Sequence, residues 1–299
     1  GIVFNGISSA SQGSGVDPDV DYGTGDDVLE NYRVSYVTAH NNGLYGIYAF
    51  ASRGGLIEHS LASGHPDSGF YVGQCQPCDV TLDSNIAEHN AIGYFGTNAS
   101  GGVVVARSIF RDNRLGIAPN SQDTERLAPQ AEAIIVGNHV LDNDNPDAPA
   151  ISYGYFGGGI AVGGGTKNSI IRNRVEGHDR AGIELLPIEP FLPQFNRIEE
   201  NVLLNNAIDL AYHTGNTDAA GNCFTGNTFT ISKPDDIENV LSCTGAAGAF
   251  QAVKPPTFIA PPTVDYRTIT PPAKQKSMPT AQQRITACAG TFTALDISS

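Results

Sequence analysis

Short apolar bursts recur along most of this chain, separated by polar corners. One burst starts with glycine, then has a large apolar residue and a variable one. Its copies are Gly46-Ile47-Tyr48-Ala49, Gly69-Phe70-Tyr71-Val72, Gly93-Tyr94-Phe95-Gly96, Gly116-Ile117-Ala118, Gly159-Ile160-Ala161-Val162 and Gly182-Ile183-Glu184-Leu185. Their glycines lie 23, 24, 23, 43 and 23 residues apart. A fixed period of this length is the mark of a solenoid. A second burst precedes each glycine segment, with apolar ends and a polar middle. Ile57-Glu58-His59-Ser60-Leu61, Leu82-Asp83-Ser84-Asn85-Ile86 and Ile171-Arg172-Asn173-Arg174-Val175 are examples. Polar pairs such as His89-Asn90, Asp112-Asn113, Asn143-Asp144, His178-Asp179 and Asn205-Asn206 follow. Extended runs bounded by turn residues predict short strands. No run holds the 3.6-residue period a helix needs.

Stacked repeats would place equivalent strands side by side as parallel sheets, about 4.8 Å apart. Asparagine side chains at the corners would then bond the same groups one coil up and down, satisfying backbone that a tight corner would orphan. Gly1-Ile2-Val3 already reads as such a strand, so the first coil needs a cover from upstream sequence, a cap or another subunit. After residue 244 the pattern stops, and Pro255-Pro256, Pro261-Pro262 and Pro271-Pro272 recur. Proline removes ladder donors, so this part reads as an extended tail that packs along the solenoid, bridges subunits or links onward.

These repeats, over about residues 28 to 232, resemble the right-handed parallel β-helix proteins, the pectate-lyase-like folds with NosD-type repeats. The stretch from Ser63 to Cys78 resembles a group of exported bacterial β-helix proteins. The resemblance implies an all-β chain: a single-stranded right-handed parallel β-helix of about eight coils over residues 1–243, then a Pro-rich irregular tail over 244–299. Such folds host lyases, hydrolases, epimerases, adhesins and tailspikes, so the fold does not fix the function. The Tyr-Gly-x-Asp-Pro-His-Asp type motif of alginate epimerases is absent. His65-Pro66-Asp67 has a different order, and no catalytic residue is carried over from it.

Charge narrows the partners. With 31 acidic residues against 17 basic ones, the formal net charge is −14. That argues against a nucleic-acid partner, which needs a basic stripe, and against an anionic membrane surface. No apolar run is long enough for a membrane span. Cys75 with Cys78, and Cys223 with Cys243, read as structural disulfides, with free thiols or a metal pair as the alternatives; Cys288 is left over. Paired cysteines in an acidic repeat protein point to a secreted or cell-surface location. Asp17, Asp19 and Asp21 alternate as ligands do in a calcium loop. Tyr22 stands at the usual glycine position and Val28 at that of the glutamate, so a solvated acidic loop is the first reading and calcium the alternative.

Strand alternation assigns the candidate site. In each Gly-apolar-x segment the apolar residue faces in and x faces out. The outward column is Tyr48, Tyr71, Phe95, Ala118, Ala161, Glu184 and Ala211. An aromatic ladder offers a platform for sugar rings, or else simply stacks for stability. Extra residues at 119–131, 144–157 and 187–194 predict loops that wall the strip from Tyr71 to Glu184. Tyr48, Tyr71, Phe95, Arg114 and Arg180 are the candidate substrate binders, and Glu184, His65 and Asp67 the candidate acid–base groups. A second column, Glu58, Asp83, Ala106, Gly137, Arg172 and Glu199, puts two acids on adjacent rungs and pairs Arg172 with Glu199. The expectation is an exported protein that binds a polysaccharide along the glycine-strand face, with lyase, hydrolase or epimerase chemistry left open. The alternative is a structural, adhesive or self-assembling subunit with end-to-end homo-oligomer contacts.

Overall fold

The computed structural model describes residues 1–6, 28–151, 156–188, 190–214, 220–255, 259–276 and 278. The Asp17, Asp19 and Asp21 spacing, Cys288 and the alternating stretch at 291–297 lie outside the described residues.

Three parallel sheets run the length of the molecule. The first has nine strands, from Ile2–Asn5 to Ser232–Lys233, and holds the glycine segments within or at the start of Ile47–Phe50, Ser68–Cys75, Ile92–Ala99, Leu115–Asn120, Gly158–Gly163 and Ala181–Leu186. The second has eight strands, from Arg33–Ser35 to Cys223–Thr225, and the third seven, from Thr38–His40 to Val202–Leu204. Equivalent strands pair in parallel, one coil to the next, in a right-handed β-helix of about eight coils. Period-two alternation sends one column of each sheet into the core. Ile47, Phe70, Tyr94, Ile117, Ile160, Ile183 and Leu210 come from the first sheet; Ile57, Leu82, Val105 and Ile135 from the second; Phe110, Val140 and Val175 from the third. All are buried.

The glycine of the repeat is there for space. A Cβ on Gly116 would lie 2.5 Å from the Gly159 carbonyl oxygen and 2.7 Å from Val140 Cγ1. The same crowding recurs at Gly93 and Gly159.

Two corners carry side-chain ladders through the stack. At the corner before the first sheet stand Asn42, His65, Asn90, Asn113, Asn143, His178 and Asn206. The backbone N–H of Asn90 donates to Asn113 Oδ1 at 3.0 Å, while Asn90 Nδ2 donates to the Ala62 carbonyl at 3.0 Å. Between the second and third sheets, Asn138 does the same with Asn173 Oδ1 and the Val105 carbonyl. Each buried amide thus meets backbone groups of neighbouring coils, leaving few polar atoms unbonded.

A left-handed residue turns the corner after each strand of the second sheet, including Gly137 at φ 65° and Arg172 at φ 54°. The outward column there is therefore Glu58, Asp83, Ala106, Val136, Ile171 and Glu199, and the sequence reading was one residue late at Gly137 and Arg172. Arg172 pairs with Glu200 at 2.5 Å, and Glu199 with Arg197. Glu58 is bound by Arg33 and Ser35, and Asp83 by Arg107 at 2.6 Å, so each of these rung acids has its own cation.

The C-terminal end of the stack is covered by the short helix Ile237–Val240, with Ile237 and Leu241 buried against the last coil. Glu238 accepts the ladder's final N–H, from Asn227, at 2.7 Å, and the Cys223–Cys243 disulfide fastens the cap. Cys75 and Cys78 form a second disulfide within one coil. The proline tail then runs back along its own solenoid. Thr214 N–H donates to the Val253 carbonyl at 2.9 Å, Ala150 N–H to Thr263 Oγ1 at 2.7 Å, and Asn41 Nδ2 to the Ile269 carbonyl at 2.7 Å. Met278 lines one hollow at the first coil together with Ile2, Phe4 and Val34.

Candidate functional site

On the outer face of the first sheet, Tyr48, Tyr71, Phe95 and Ala118 fall in register, as do Ala161, Glu184 and Ala211. The face has two parts with different environments.

In the earlier coils it is aromatic. The Tyr48 and Tyr71 rings stack at 4.8 Å with 17° between planes. Tyr45 packs on both, at 4.6 and 5.1 Å, and Phe95 meets Tyr71 edge-on at 5.9 Å. The ring of Tyr71 lies over Gly73, where a Cβ would sit 2.5 Å from the ring. Glycine at this rung therefore lets the tyrosine lie along the sheet.

Two carboxyls flank the rings. Asp67 immediately precedes the strand that carries Tyr71, and the Tyr45 hydroxyl bonds it. Burial raises Asp67 to about 6, more than the Tyr45 and Ser68 hydroxyls lower it. Its Oδ1 is buried with no hydrogen-bond partner. Glu125 reaches in from the inserted loop at 119–131. Gln74 Nε2 and Asn98 Nδ2 hold it, the latter at 3.1 Å, and burial still raises its carboxyl above the usual range. Burial first, then the charges of Asp67 and Glu125, push the Tyr45 hydroxyl upward. Tyr48 and Tyr71 are raised likewise, burial again being the largest cause. The other inserted loop closes the Asp67 side: Ile151 N–H donates to the Pro66 carbonyl at 2.8 Å.

In the later coils the face is covered. Leu115, Ala118, Ala161 and Leu186 form a second apolar cluster there, backed by Ile92 and Phe95. Arg114 is 1% exposed. Its guanidinium donates to the carbonyls of Ala148 at 3.1 Å, Pro262 at 3.3 Å and Pro261, and lies 5.1 Å over the Phe156 ring. Glu184 is fully buried between Arg180 Nε, 3.0 Å from Oε1, and His213 Nε2, 3.3 Å from Oε2. The inserted loop and the returning tail thus occupy the ground that Arg114 was expected to offer a substrate. Arg180 and Glu184 answer each other there.

His65 takes no part in either region. It stands in the corner ladder, fully buried. Nδ1 accepts the Asn42 N–H at 3.3 Å and Nε2 donates to the Ala39 carbonyl at 3.2 Å. Burial depresses it to about 4, so it is neutral and spent on structure. The structure therefore brings Asp67 together with Tyr48, Tyr71 and Phe95, and keeps His65, Glu184, Arg114 and Arg180 elsewhere. Tyr45, Gln74, Asn98 and Glu125 were missed from sequence. Tyr45 had a signal, as the residue just before the first full glycine segment; Glu125 had only its place in an insertion.

Stacked parallel coils, corner ladders and a loop-walled first sheet define a parallel β-helix protein. Residues 7–244 match the family model described as "Periplasmic copper-binding protein (NosD)", and the chain belongs to that family. No curated protein matches the chain. Among solved structures it is similar to the A-module of the Azotobacter vinelandii mannuronan C-5 epimerase AlgE4. The TM-score is 0.47 and the identity 15%, over 68% of this chain and 54% of that one. For the AlgE6 A-module the TM-score is 0.45 and the identity 13%, over 68% and 58%. The chain spans just over half the length of these structures, and at this identity the likeness concerns fold alone. No helix among the described residues is long and apolar enough to cross a membrane.

Proposed function

We propose that this is an exported β-helix protein that binds a glycan across the tyrosine platform and processes it there. The observation that carries the reading is the stack of Tyr48 on Tyr71, on adjacent rungs, between two inserted loops that each bring or brace a carboxyl. Tyr71 itself is buried, at 5% exposed, so the aromatic surface offered to the apolar face of a sugar ring is that of the half-buried Tyr48 and Phe95 which it supports, with the carboxyls beside them suited to hydroxyl edges. The chemistry the site supports is proton transfer. Asp67, pushed up to about 6 by burial, is the group best placed to hold or release a proton, and burial raises the Glu125 carboxyl beside it in the same direction. The tail lies along its own solenoid, which gives less support to a subunit that grips its neighbour by that tail.

Copper, which the family's description names, does not fit the described residues. Four cysteines are closed in disulfides, and among the described residues no three His, Cys, Asp or Glu side chains gather to hold an ion.

The test is a binding panel of neutral, acidic and amino polysaccharides by calorimetry, with product analysis for new reducing or unsaturated ends. Tyr48→Ala and Tyr71→Ala should each weaken binding at least about tenfold, as stacking contacts of about 1 kcal/mol or more imply. Unchanged binding in both variants, with no product from any glycan, would overturn the reading.

A further inference from the structure

We infer that the first coil of the solenoid is capped by residues 279–299 of the same chain, with 291–297 laid as an added strand along the edge of Ile2–Asn5.

The end strands of the three sheets here are Ile2–Asn5, Arg33–Ser35 and Thr38–His40. Ile2 is in register with Ile47, and Phe4 with Ala49, so both continue the core column. Ile47 and Ala49 are fully buried, whereas Ile2 and Phe4 are only half-buried. Together with Val34, Val37 and Met278 they line a hollow in the end of the stack. The edge also presents backbone. Ile2 and Gly6 donate their N–H groups to the Gly46 and Phe50 carbonyls of the next coil, so alternation turns the N–H and C=O of Val3 the other way. Among the described residues no strand pairs with that side. At the opposite end a segment of the chain itself folds across the last coil, burying Ile237 and Leu241.

Two stretches outside the described residues join the chain at this end, 7–27 and 279–299. Residues 7–27 carry Asp17, Asp19, Asp21, Asp26 and Asp27, and burying those carboxylates against an apolar hollow is costly. Residues 279–299 carry Ile285, Phe292, Leu295 and Ile297, with Arg284 and Asp296 as their only charged side chains. Composition changes at the same place. Prolines recur from Pro255 to Pro279 and none follows, while strand-favouring Thr, Ile and Phe take over.

The path of the tail agrees. Its contacts at Val253, Thr263 and Ile269 fall on Thr214, Ala150 and Asn41 in turn, and Met278 has reached the hollow. Met278 is still 38% exposed there, so apolar surface remains to be covered. Residues 279–290 can span about 40 Å, at roughly 3.3 Å each. The end strands they must cross are only three or four residues long. A segment tethered beside the hollow has an effective concentration on the order of millimolar, so it takes the edge ahead of a second copy. Strand addition then pairs backbone that would otherwise template association.

The experiment places a photo-crosslinker in the full chain, Phe292→p-benzoylphenylalanine, mixes isotopically light and heavy protein, and maps the links by mass spectrometry. Links within one chain to residues 1–6 or 32–37 are expected. Links between light and heavy chains would show a second copy at this end. Links only to other parts of the chain, or no link, would show that the segment lies elsewhere. Each of these results overturns the inference. In the variant Phe292→Asp with Leu295→Asp, hydrogen exchange at Val3 should rise at least about tenfold, while continued protection of Ile160 shows the stack intact. Unchanged exchange at Val3 in that variant overturns the inference as well.

Discussion

His178 donates from Nδ1 to Asn206 Oδ1 at 2.8 Å, so an imidazole fills a rung of an asparagine ladder. Its Nε2 faces Asn143 Nδ2 at 3.2 Å and accepts from it. Only a neutral ring can do both, and the same holds for His65 with Asn42 and Ala39. Burial depresses both histidines from 6.5 to about 4. Between those values the unfolded chain binds protons that the folded one refuses, so stability falls as pH is lowered from about 6.5 to about 4. Each histidine contributes on the order of 3 kcal/mol to that loss at most. Denaturant midpoints measured across the window should show the slope. His65→Asn and His178→Asn, which restore the ladder's usual residue, should flatten it; a slope unchanged in the double variant would refute the assignment.

Gly116 and Gly137 should respond differently to alanine. At Gly116 a methyl group meets the Gly159 carbonyl oxygen at 2.5 Å and Val140 Cγ1 at 2.7 Å, so two coils must part. Gly137 has nothing within 4 Å but sits at φ 65°. Gly116→Ala should cost several kcal/mol, in the range of core overpacking, whereas Gly137→Ala should cost about 1 kcal/mol from backbone strain alone. Urea unfolding of the two variants decides it. Equal costs would mean that the glycine of the repeat is not a packing residue.

Gly116 also shows why the fold was legible. The repeat is local, and each glycine segment carries its own register, so the core column from Ile47 to Ile183 and the outer column from Tyr48 to Glu184 could be read without coordinates. The environment of that outer column could not. Arg114 is buried by residues 148 and 261–262, and no local pattern announces that a proline tail will return over coils more than a hundred residues earlier. Glu184 is closed off nearer at hand, by Arg180 four residues before it and His213 one coil on. His65 failed for a different reason: its neighbours Pro66 and Asp67 suggested an acid–base cluster, while its ladder role depends on Asn90 one coil on, whose Oδ1 accepts the His65 N–H at 3.0 Å. Glu125 was invisible because an insertion has no register, and only Gln74 and Asn98 fix where it points.

The two disulfides should not be equal. Cys223–Cys243 closes a separation of 20 residues and ties the end cap to the last coil of the second sheet, whereas Cys75–Cys78 spans 3. Loop closure in the unfolded chain predicts about 3 kcal/mol for the longer one and much less for the shorter. Cys223→Ala with Cys243→Ala should lower the melting temperature clearly more than Cys75→Ala with Cys78→Ala. The larger loss from the shorter bridge would show that packing of the buried Cys75 and Cys78, not chain closure, sets its contribution.

The tail should depend on Arg114. That side chain is the buried cation where the inserted loop, at Ala148, and the tail, at Pro261 and Pro262, converge on the sheet. Hydrogen bonds from a charged donor to buried carbonyls contribute about 1.5–3 kcal/mol together with the desolvation they prevent. Arg114→Leu keeps apolar volume against Phe156 but removes every donor. Hydrogen exchange in residues 261–269 should then accelerate at least about tenfold, the rate effect of 1.4 kcal/mol, while Ile117 and Ile160 in the core strands stay protected. Asn41→Ala, which removes the anchor to the Tyr266 and Ile269 carbonyls, should loosen the far end of the same segment. If Arg114→Leu leaves exchange in the tail as it was, the strap is held by its backbone and apolar contacts, and the buried guanidinium serves the inserted loop alone.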